Sequence, residues 1–190
     1  MVDLIGQYKK IQPEIDKAIH DVVLSSAYIN GPDVKSFAKE MEDYLSVKHV
    51  IPCANGTDAL QIAMMALNFQ PGDEIITASF TYVATAEVMA LLKLKPVLVD
   101  VDPETFTIDC DAIERAITPR TVAIVPVHLF GQCANMQRVM EIANANNIPC
   151  IGLYNSIRIL AIEHIQIIHL YFFNIRYLNN FPFRIGNFLL

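Results

Sequence analysis

Three short segments combine residue types that would bind a small ligand through backbone donors, a hydroxyl group and an aromatic ring. In the first, residues 53–60 (CANGTDAL), Gly56 and Thr57 fall where a short apolar run changes to a helical pattern. Unpaired N–H groups and the positive end of the helix dipole would then face an anion, and Thr57 adds a hydroxyl donor. The segment lacks the G-x-G-x-x-G pattern of dinucleotide folds and the lysine of a P-loop. An ordinary turn followed by a helix cap is the alternative interpretation.

An aromatic pair and a histidine mark the other two segments. Residues 78–85 (ASFTYVAT) follow an apolar run at the edge where α/β sheets bind ligands, so Tyr82 would stack on a planar cofactor ring with Phe80 behind it. The alternative is that both are core aromatics. Residues 125–133 (VPVHLFGQC) place His128 at the end of another strand, where a satisfied structural histidine is the alternative to a role in the site.

The remaining acidic residues and cysteines predict no metal site. Asp100 and Asp102 also follow a strand, but no metal-binding partner accompanies them, and the Asp-Pro pair at residues 102–103 favours a turn. The four cysteines are scattered, without a C-x-x-C pair or a histidine at ligand spacing: Cys53, Cys110, Cys133 and Cys150. Free thiols in a cytoplasmic protein are therefore expected.

Short apolar runs alternate with helical patterns in the middle of the chain. Predicted strands cover residues 49–53, 74–77, 96–101, 121–127 and 148–151, and predicted helices cover residues 58–67, 84–94, 111–117 and 136–146. This alternation predicts an α/β fold with a mainly parallel sheet and helices on both faces. Before it, an amphipathic helix over residues 12–26 is separated from a helix ending near residue 45 by the turn Asn-Gly-Pro-Asp, with Asp33 as the expected cap.

Charge and hydropathy exclude several classes of partner. The net charge of −6 and the lack of basic runs argue against nucleic-acid binding. No uncharged apolar stretch is long enough to span a membrane, and the first residues do not resemble a signal peptide. With 53% hydrophobic residues in 190, most of the chain is not expected to be disordered. The cytoplasm is the predicted location.

Residues 152–190 differ in composition from everything before them. They contain eight isoleucines and eight aromatic residues but one acid, Glu163, and no lysine. No clear period predicts helices or strands there, and the composition is typical of an AT-rich gene read in a shifted frame. We therefore predict two parts, residues 1–151 and an atypical apolar tail of residues 152–190, with a genuine apolar interaction tail as the alternative.

Taken together and in order, the motifs resemble one family, the DegT sugar-nucleotide aminotransferases. The resemblance covers about 150 of the 190 residues and is closest to enzymes that aminate the 3-keto position of a UDP-linked N-acetylamino uronic acid. Its motifs are NGP at 30–32, CANGTDAL at 53–60, PGDEIIT at 71–77, FTYVATAE at 80–87, KPVLVDVD at 95–102, ITPRT at 117–121 and PVHLFGQ at 126–132.

The resemblance implies a pyridoxal 5′-phosphate (PLP) enzyme of the aspartate aminotransferase fold (type I), incomplete here. The cofactor phosphate would rest on Gly56 and Thr57 with Asp58 adjacent, Tyr82 would stack on the pyridine ring, and His128 would lie near the cofactor. The turn formed by Asn30 and Gly31 would border the sugar-nucleotide site. Glutamate would be the amino donor, a UDP-linked keto-sugar of polysaccharide biosynthesis the acceptor, and a homodimer the assembly.

The sequence departs from the family pattern at residue 152. The family continues with an acidic E-D-x-A-Q segment and an S-x-x-K whose lysine forms the Schiff base with PLP, whereas residues 152–156 read GLYNS and Lys95 is the last lysine. No catalytic residue is therefore predicted, and we expect the chain to be inactive alone. The alternatives are a non-catalytic cofactor-binding remnant or interaction module, and an unrelated nucleotide-binding α/β domain.

Overall fold

The computed structural model of the chain describes residues 3–154, 159–162 and 165–169. The described residues form two units, one of residues 3–46 and one of residues 47–169. Most of the tail predicted to begin at residue 152 lies outside the described residues, so that boundary stays a prediction.

The first unit consists of two helices, α1 (Leu4–Ser25) and α2 (Pro32–Leu45). Helix α1 begins earlier than the predicted residue 12, because the Asp3 carboxylate caps it by accepting a hydrogen bond of 2.8 Å from the Gly6 N–H. Pro13 is accommodated inside the helix. The expected cap of α2 by Asp33 is wrong: Gly31 is the N-cap, and Asp33 lies in the first helical turn.

The second unit alternates strands and helices as predicted. In chain order its elements are β1 (His49–Cys53), α3 (Gly56–Ala66), β2 (Glu74–Ala78), α4 (Ala84–Leu91), β3 (Lys95–Val99), α5 (Cys110–Ala116), β4 (Thr121–Val125), β5 (Val127–His128), α6 (Met136–Ala145), β6 (Gly152–Tyr154), β7 (Ile159–Ile162) and β8 (Ile165–His169). The strand predicted at residues 148–151 begins later, at Gly152, although Cys150 already forms a parallel bridge with Ile124.

The described strands form two groups, one with the order β3-β2-β4 and the other with the order β1-β8-β7-β6-β5. Strands β4 and β5, which follow each other in the chain, connect the two groups. Pro126 separates β4 from β5 but its carbonyl still accepts from the Leu153 N–H at 3.0 Å, and the Ile124 carbonyl accepts from the Ile151 N–H at 2.9 Å. The two groups of strands are therefore joined by hydrogen bonds between residues 121–128 and residues 149–153. All the described strand pairs are parallel except those of β7 with β6 and β8.

Helices cover both faces of this sheet, because neighbouring strand residues point to opposite sides. Ile75 of β2 packs in a buried apolar cluster with residues of α3 and α4, whereas Ile76 packs with residues of α5 and α6. Val125 and Ile124 of β4 divide between the two clusters in the same way. The prediction of an α/β fold with helices on both faces is confirmed.

Strands β7 and β8 were not predicted from the sequence. They pair antiparallel to each other, with Ile159 opposite Ile168, and β8 runs parallel to β1 with His49 opposite Ile165. Both are short runs rich in the β-branched residue isoleucine, which suits a sheet covered on both faces. The lack of glycine and proline punctuation between them hid the strand boundaries.

The amino ends of β2, β3 and β4 are joined by a buried carboxylate, Glu74, whose side chain is 3% exposed. One oxygen accepts from Lys95 Nζ at 2.9 Å and from an Arg120 guanidinium nitrogen at 2.7 Å, and the other accepts from the Thr118 hydroxyl at 2.6 Å. The Thr118 hydroxyl, with Lys95 and then Arg120, lowers the pKa of Glu74 from 4.5 to about 2.

Replacing Glu74 with glutamine should lower the free energy of unfolding at neutral pH and make it depend less on pH in the acid range. Because the pKa is lowered in the fold, the ionised carboxylate stabilises the protein above pH 4.5, and this contribution is lost as the pH falls towards 2. Urea unfolding of E74Q and of the parent chain at several pH values between 7 and 3 measures both effects. The control is E104Q at an exposed glutamate; equal losses in the two variants would contradict the assignment.

Candidate functional site

The first turn of α3 presents backbone donors just beyond the end of β1. Asn55 is the N-cap: its side-chain oxygen accepts from the Asp58 N–H at 2.8 Å, and its amide nitrogen donates to the Asp58 carboxylate at 2.7 Å. The N–H groups of Gly56 and Thr57 have no hydrogen-bond acceptor among the residues that the structure describes. With the positive end of the helix dipole they form a place for an anion. The predicted turn and helix cap are present in the structure, and the anion site at the same place stays a prediction.

The connection from β2 to α4 carries exposed aromatic side chains. Tyr82 is 67% exposed and Phe80 is 48% exposed, so the alternative that both are core aromatics is wrong. The Phe80 ring does not lie alone, since it contacts Phe106 with ring centroids 5.7 Å apart at an angle of 44°. Tyr82 therefore offers a ring face for stacking at the carboxyl end of β2.

Two hydroxyl groups beside Tyr82 are buried without a partner. Thr81 Oγ1 and Thr85 Oγ1 have no hydrogen-bond partner within the described part of the chain, and Thr85 is only 1% exposed. Val83, the N-cap of α4, also provides no side-chain hydrogen bond to the first turn of that helix. Buried polar groups are normally paired, so two unpaired hydroxyl groups this close in sequence are unusual. They were not predicted from the sequence.

His128 lies at the end of β5 with its side chain on the face opposite α3 and α4. Val127 and Leu129 belong to the apolar cluster of α3 and α4, and the alternation along the strand turns His128 the other way. Its Nδ1 accepts a hydrogen bond of 3.0 Å from the Ala134 N–H, which anchors the following turn. Burial lowers the pKa of His128 from 6.5 to about 4, so the ring is neutral at physiological pH.

Asn30 and Gly31 lie in the first unit and form the turn before α2. Asn30 has a φ of 50°, a left-handed conformation that asparagine tolerates well. A Cβ on Gly31 would come within 2.3 Å of the Ala27 carbonyl oxygen, so the turn requires glycine for lack of space. The turn is thus closely specified by these two residues.

The acidic residues after β3 have structural roles. The Asp102 carboxylate accepts from the N–H groups of Glu104 and Thr105, both at 2.9 Å, and these bonds lower its pKa. Asp100 accepts from the Val101 N–H at 2.8 Å. Among the described residues, His, Cys, Asp and Glu side chains nowhere form a group that could hold a metal ion.

A shallow concavity of about 410 Å³ lies at the other edge of the sheet, near the amino end of β4. Its polar lining residues are engaged within the protein: Thr118 bonds to Glu74 and Thr121, and Asn146 donates to the Ile142 carbonyl. The concavity lies away from the carboxyl ends of the strands, where α/β sheets bind ligands. It is therefore not the candidate site.

Comparison with solved structures defines the class of this fold. The DesV enzyme of S. venezuelae, solved in complex with a ketimine intermediate, superposes with a TM-score of 0.76 at 35% identity over 82% of this chain and 41% of that one. The ntda protein of Bacillus subtilis with bound cofactor PMP (pyridoxamine 5′-phosphate) gives a TM-score of 0.70 at 38% identity over 72% of this chain and 31% of that one. The fold is that of PLP-dependent aminotransferases.

The chain belongs to the DegT/DnrJ/EryC1/StrS aminotransferase family, whose model matches residues 9–152. UDP-2-acetamido-2-deoxy-3-oxo-D-glucuronate aminotransferase of Pseudomonas aeruginosa is 51% identical over 150 residues, which are 79% of this chain and 42% of that protein. The chain thus spans about two fifths of the length of this curated relative. No helix within the described residues is both long and apolar enough to cross a membrane.

Lowering the pH should destabilise the fold through His128. Because burial holds its pKa near 4, the unfolded chain binds a proton more readily, and stability falls by on the order of 2–3 kcal/mol as the pH drops from 6.5 to 4. The variant H128N should lose this dependence, which urea unfolding at a series of pH values measures. The same acid dependence in H128N as in the parent chain would refute the burial effect.

Proposed function

We propose that this chain carries the cofactor-binding part of a PLP-dependent sugar aminotransferase. The observation that carries the proposal is the pair of open N–H groups at Gly56 and Thr57, combined with membership of the aminotransferase family. Under this proposal the phosphate rests on these two residues beside Asp58, and Tyr82 stacks on the pyridine ring. His128 lies near the cofactor as a neutral, structural group.

The N–H groups of α3 and the ring of Tyr82 fit the phosphate and the ring of PLP. The first turn of α3 supplies N–H groups and a helix dipole for a phosphate, and the exposed ring of Tyr82 suits a planar heterocycle. When bound, PLP supplies an electron sink for the carbon that loses its amino group. The protein's part is to hold the phosphate, to fix the ring plane and to keep water from one ring face.

The proposed substrates are a UDP-linked keto-sugar as amino acceptor and glutamate as amino donor. The name of the Pseudomonas aeruginosa relative supports the sugar, and that of the 3-oxo-glucose-6-phosphate:glutamate aminotransferase of Bacillus subtilis, 39% identical, supports the donor. We assign the border of the sugar-nucleotide site to Asn30 and Gly31. The left-handed turn that they form supports this assignment, because it presents a polar side chain on a tightly specified backbone.

Binding is proposed for these 190 residues, but a complete transamination cycle is not. That cycle needs a lysine to carry protons between donor carbon and cofactor, and no lysine follows Lys95. A cofactor-binding remnant without catalysis is the second candidate, and it rests on the same observation. The four free cysteines favour a reducing, cytoplasmic location, and a homodimer is proposed from the family resemblance.

The cofactor site is tested with PMP, whose lack of an aldehyde prevents reaction with surface lysines. We expect the 190-residue chain to bind it in isothermal titration calorimetry, with inorganic phosphate as a competitor. Y82A should bind about 3- to 10-fold more weakly, because a stacking partner is lost. Y44A, at a tyrosine that is 51% exposed in α2, is the control. No binding by the parent chain, or equal affinity in Y82A, would argue against the site.

The sugar-nucleotide border is tested by replacing Asn30 with glycine, which keeps the left-handed backbone while removing the side chain. Binding of UDP-N-acetylglucosamine should weaken about 3- to 10-fold, the usual loss for one polar contact. The matched variant is N68G, at another exposed asparagine with a φ of 55°. If N30G and N68G bind the sugar nucleotide equally, Asn30 does not border the site.

A further inference from the structure

Asn55 and Asp58 form a reciprocal pair at the start of α3. The Asn55 side chain accepts from the Asp58 N–H at 2.8 Å and donates to the Asp58 carboxylate at 2.7 Å. The backbone carbonyl of Asn55 also accepts from the Ala59 N–H at 3.0 Å. The spacing resembles a capping box, with asparagine and aspartate in place of serine and glutamate.

The pair decides which donors of the first turn stay open. A helix leaves its first four N–H groups without partners inside the helix. The Asn55 side chain takes up that of Asp58, and the Ala59 N–H makes the first ordinary helical bond, to the Asn55 backbone carbonyl. The N–H groups of Gly56 and Thr57 therefore remain for a ligand. Ala59 and Leu60 are only 2% and 1% exposed, so this turn packs firmly against the core.

The pair also controls a negative charge close to the proposed phosphate. Side chains of a helix lean towards its amino end, so the carboxylate of Asp58 lies on the side from which an anion approaches. A free carboxylate there would take the open N–H groups or repel a phosphate. The amide of Asn55 instead holds the carboxylate at 2.7 Å, and within the described residues the carboxylate accepts no hydrogen bond from the two open donors.

We propose that Asn55 is a positioning residue for the cofactor phosphate. It acts through Asp58, by holding the carboxylate in the cap and leaving two N–H groups free. This inference rests on the proposed function, since it presumes that the first turn of α3 binds the phosphate. It explains why a site for an anion tolerates an aspartate in its first turn.

The variant N55G separates positioning from helix stability. Glycine is tolerated at a helix N-cap and leaves the net charge unchanged, while it removes the amide that holds Asp58. We expect roughly a 3- to 10-fold weaker affinity for PMP and for inorganic phosphate by calorimetry, with a small change in the melting temperature. The matched control is N135G, because Asn135 caps α6 by accepting from the Arg138 N–H at 3.2 Å. N135G should lose similar stability and keep its affinity.

The double variant N55D/D58N provides the rescue. It keeps the net charge and restores a carboxylate–amide pair with the two groups exchanged. Its affinity for PMP should therefore return to within about twofold of the parent chain. The single variant N55D, which places two carboxylates side by side, should bind PMP more weakly than N55G. If the parent chain binds PMP and N55G binds it as tightly, positioning by Asn55 is overturned while the proposed function stands. If the parent binds neither PMP nor phosphate, the proposed function fails and takes this inference with it.

Discussion

The hydrogen bonds between the stretch 121–128 and the stretch 149–154 hold the second unit together. The Ile124 N–H donates to the Pro149 carbonyl at 3.1 Å, and the Ile151 N–H returns a bond of 2.9 Å to the Ile124 carbonyl. These bonds connect the three strands on one side with the five on the other. Since β2 and β4 are almost wholly buried, their polar backbone groups must be paired within the sheet. Without these bonds the two groups of strands would separate, and neither apolar cluster would pack against a continuous sheet.

A parallel sheet of this kind delivers its connections to one edge, and that is where the candidate ligand groups occur. Gly56 and Thr57 follow β1, and Tyr82 follows β2. Helices α3 and α4, which begin at these points, pack in the same apolar cluster, so their first turns rest on a common layer. The donors and the ring are thus products of the topology, and the individual side chains decide only what the edge can bind.

Much of the second unit could be predicted from the sequence because its elements are short, periodic and well punctuated. β1 occupies the predicted residues 49–53, and α6 differs from its prediction by one residue at its end. The start of α1 was missed because the cap is a single residue, Asp3, placed before a weak pattern. Strands β7 and β8 were missed because a continuous isoleucine-rich run has no period that separates strand from helix.

The candidate site was predictable in its composition and less so in its contacts. The motif at residues 53–60 indicates an anion site, and the spacing of Asn55 and Asp58 could have indicated their pairing. The unpaired hydroxyls of Thr81 and Thr85 could not be foreseen, because burial without a partner is a property of packing. The face on which His128 lies likewise follows from the strand alternation once the ends of β5 are known.

The Glu74 cluster has an evolutionary consequence. It joins the beginnings of β2, β3 and β4, at the edge opposite the candidate ligand groups. Substitutions at the carboxyl edge therefore leave this anchor intact, so the residues of that edge can change without loss of the hydrogen bonds that join the three strands. In this way the buried carboxylate separates the stability of the sheet from the sequence of its opposite edge.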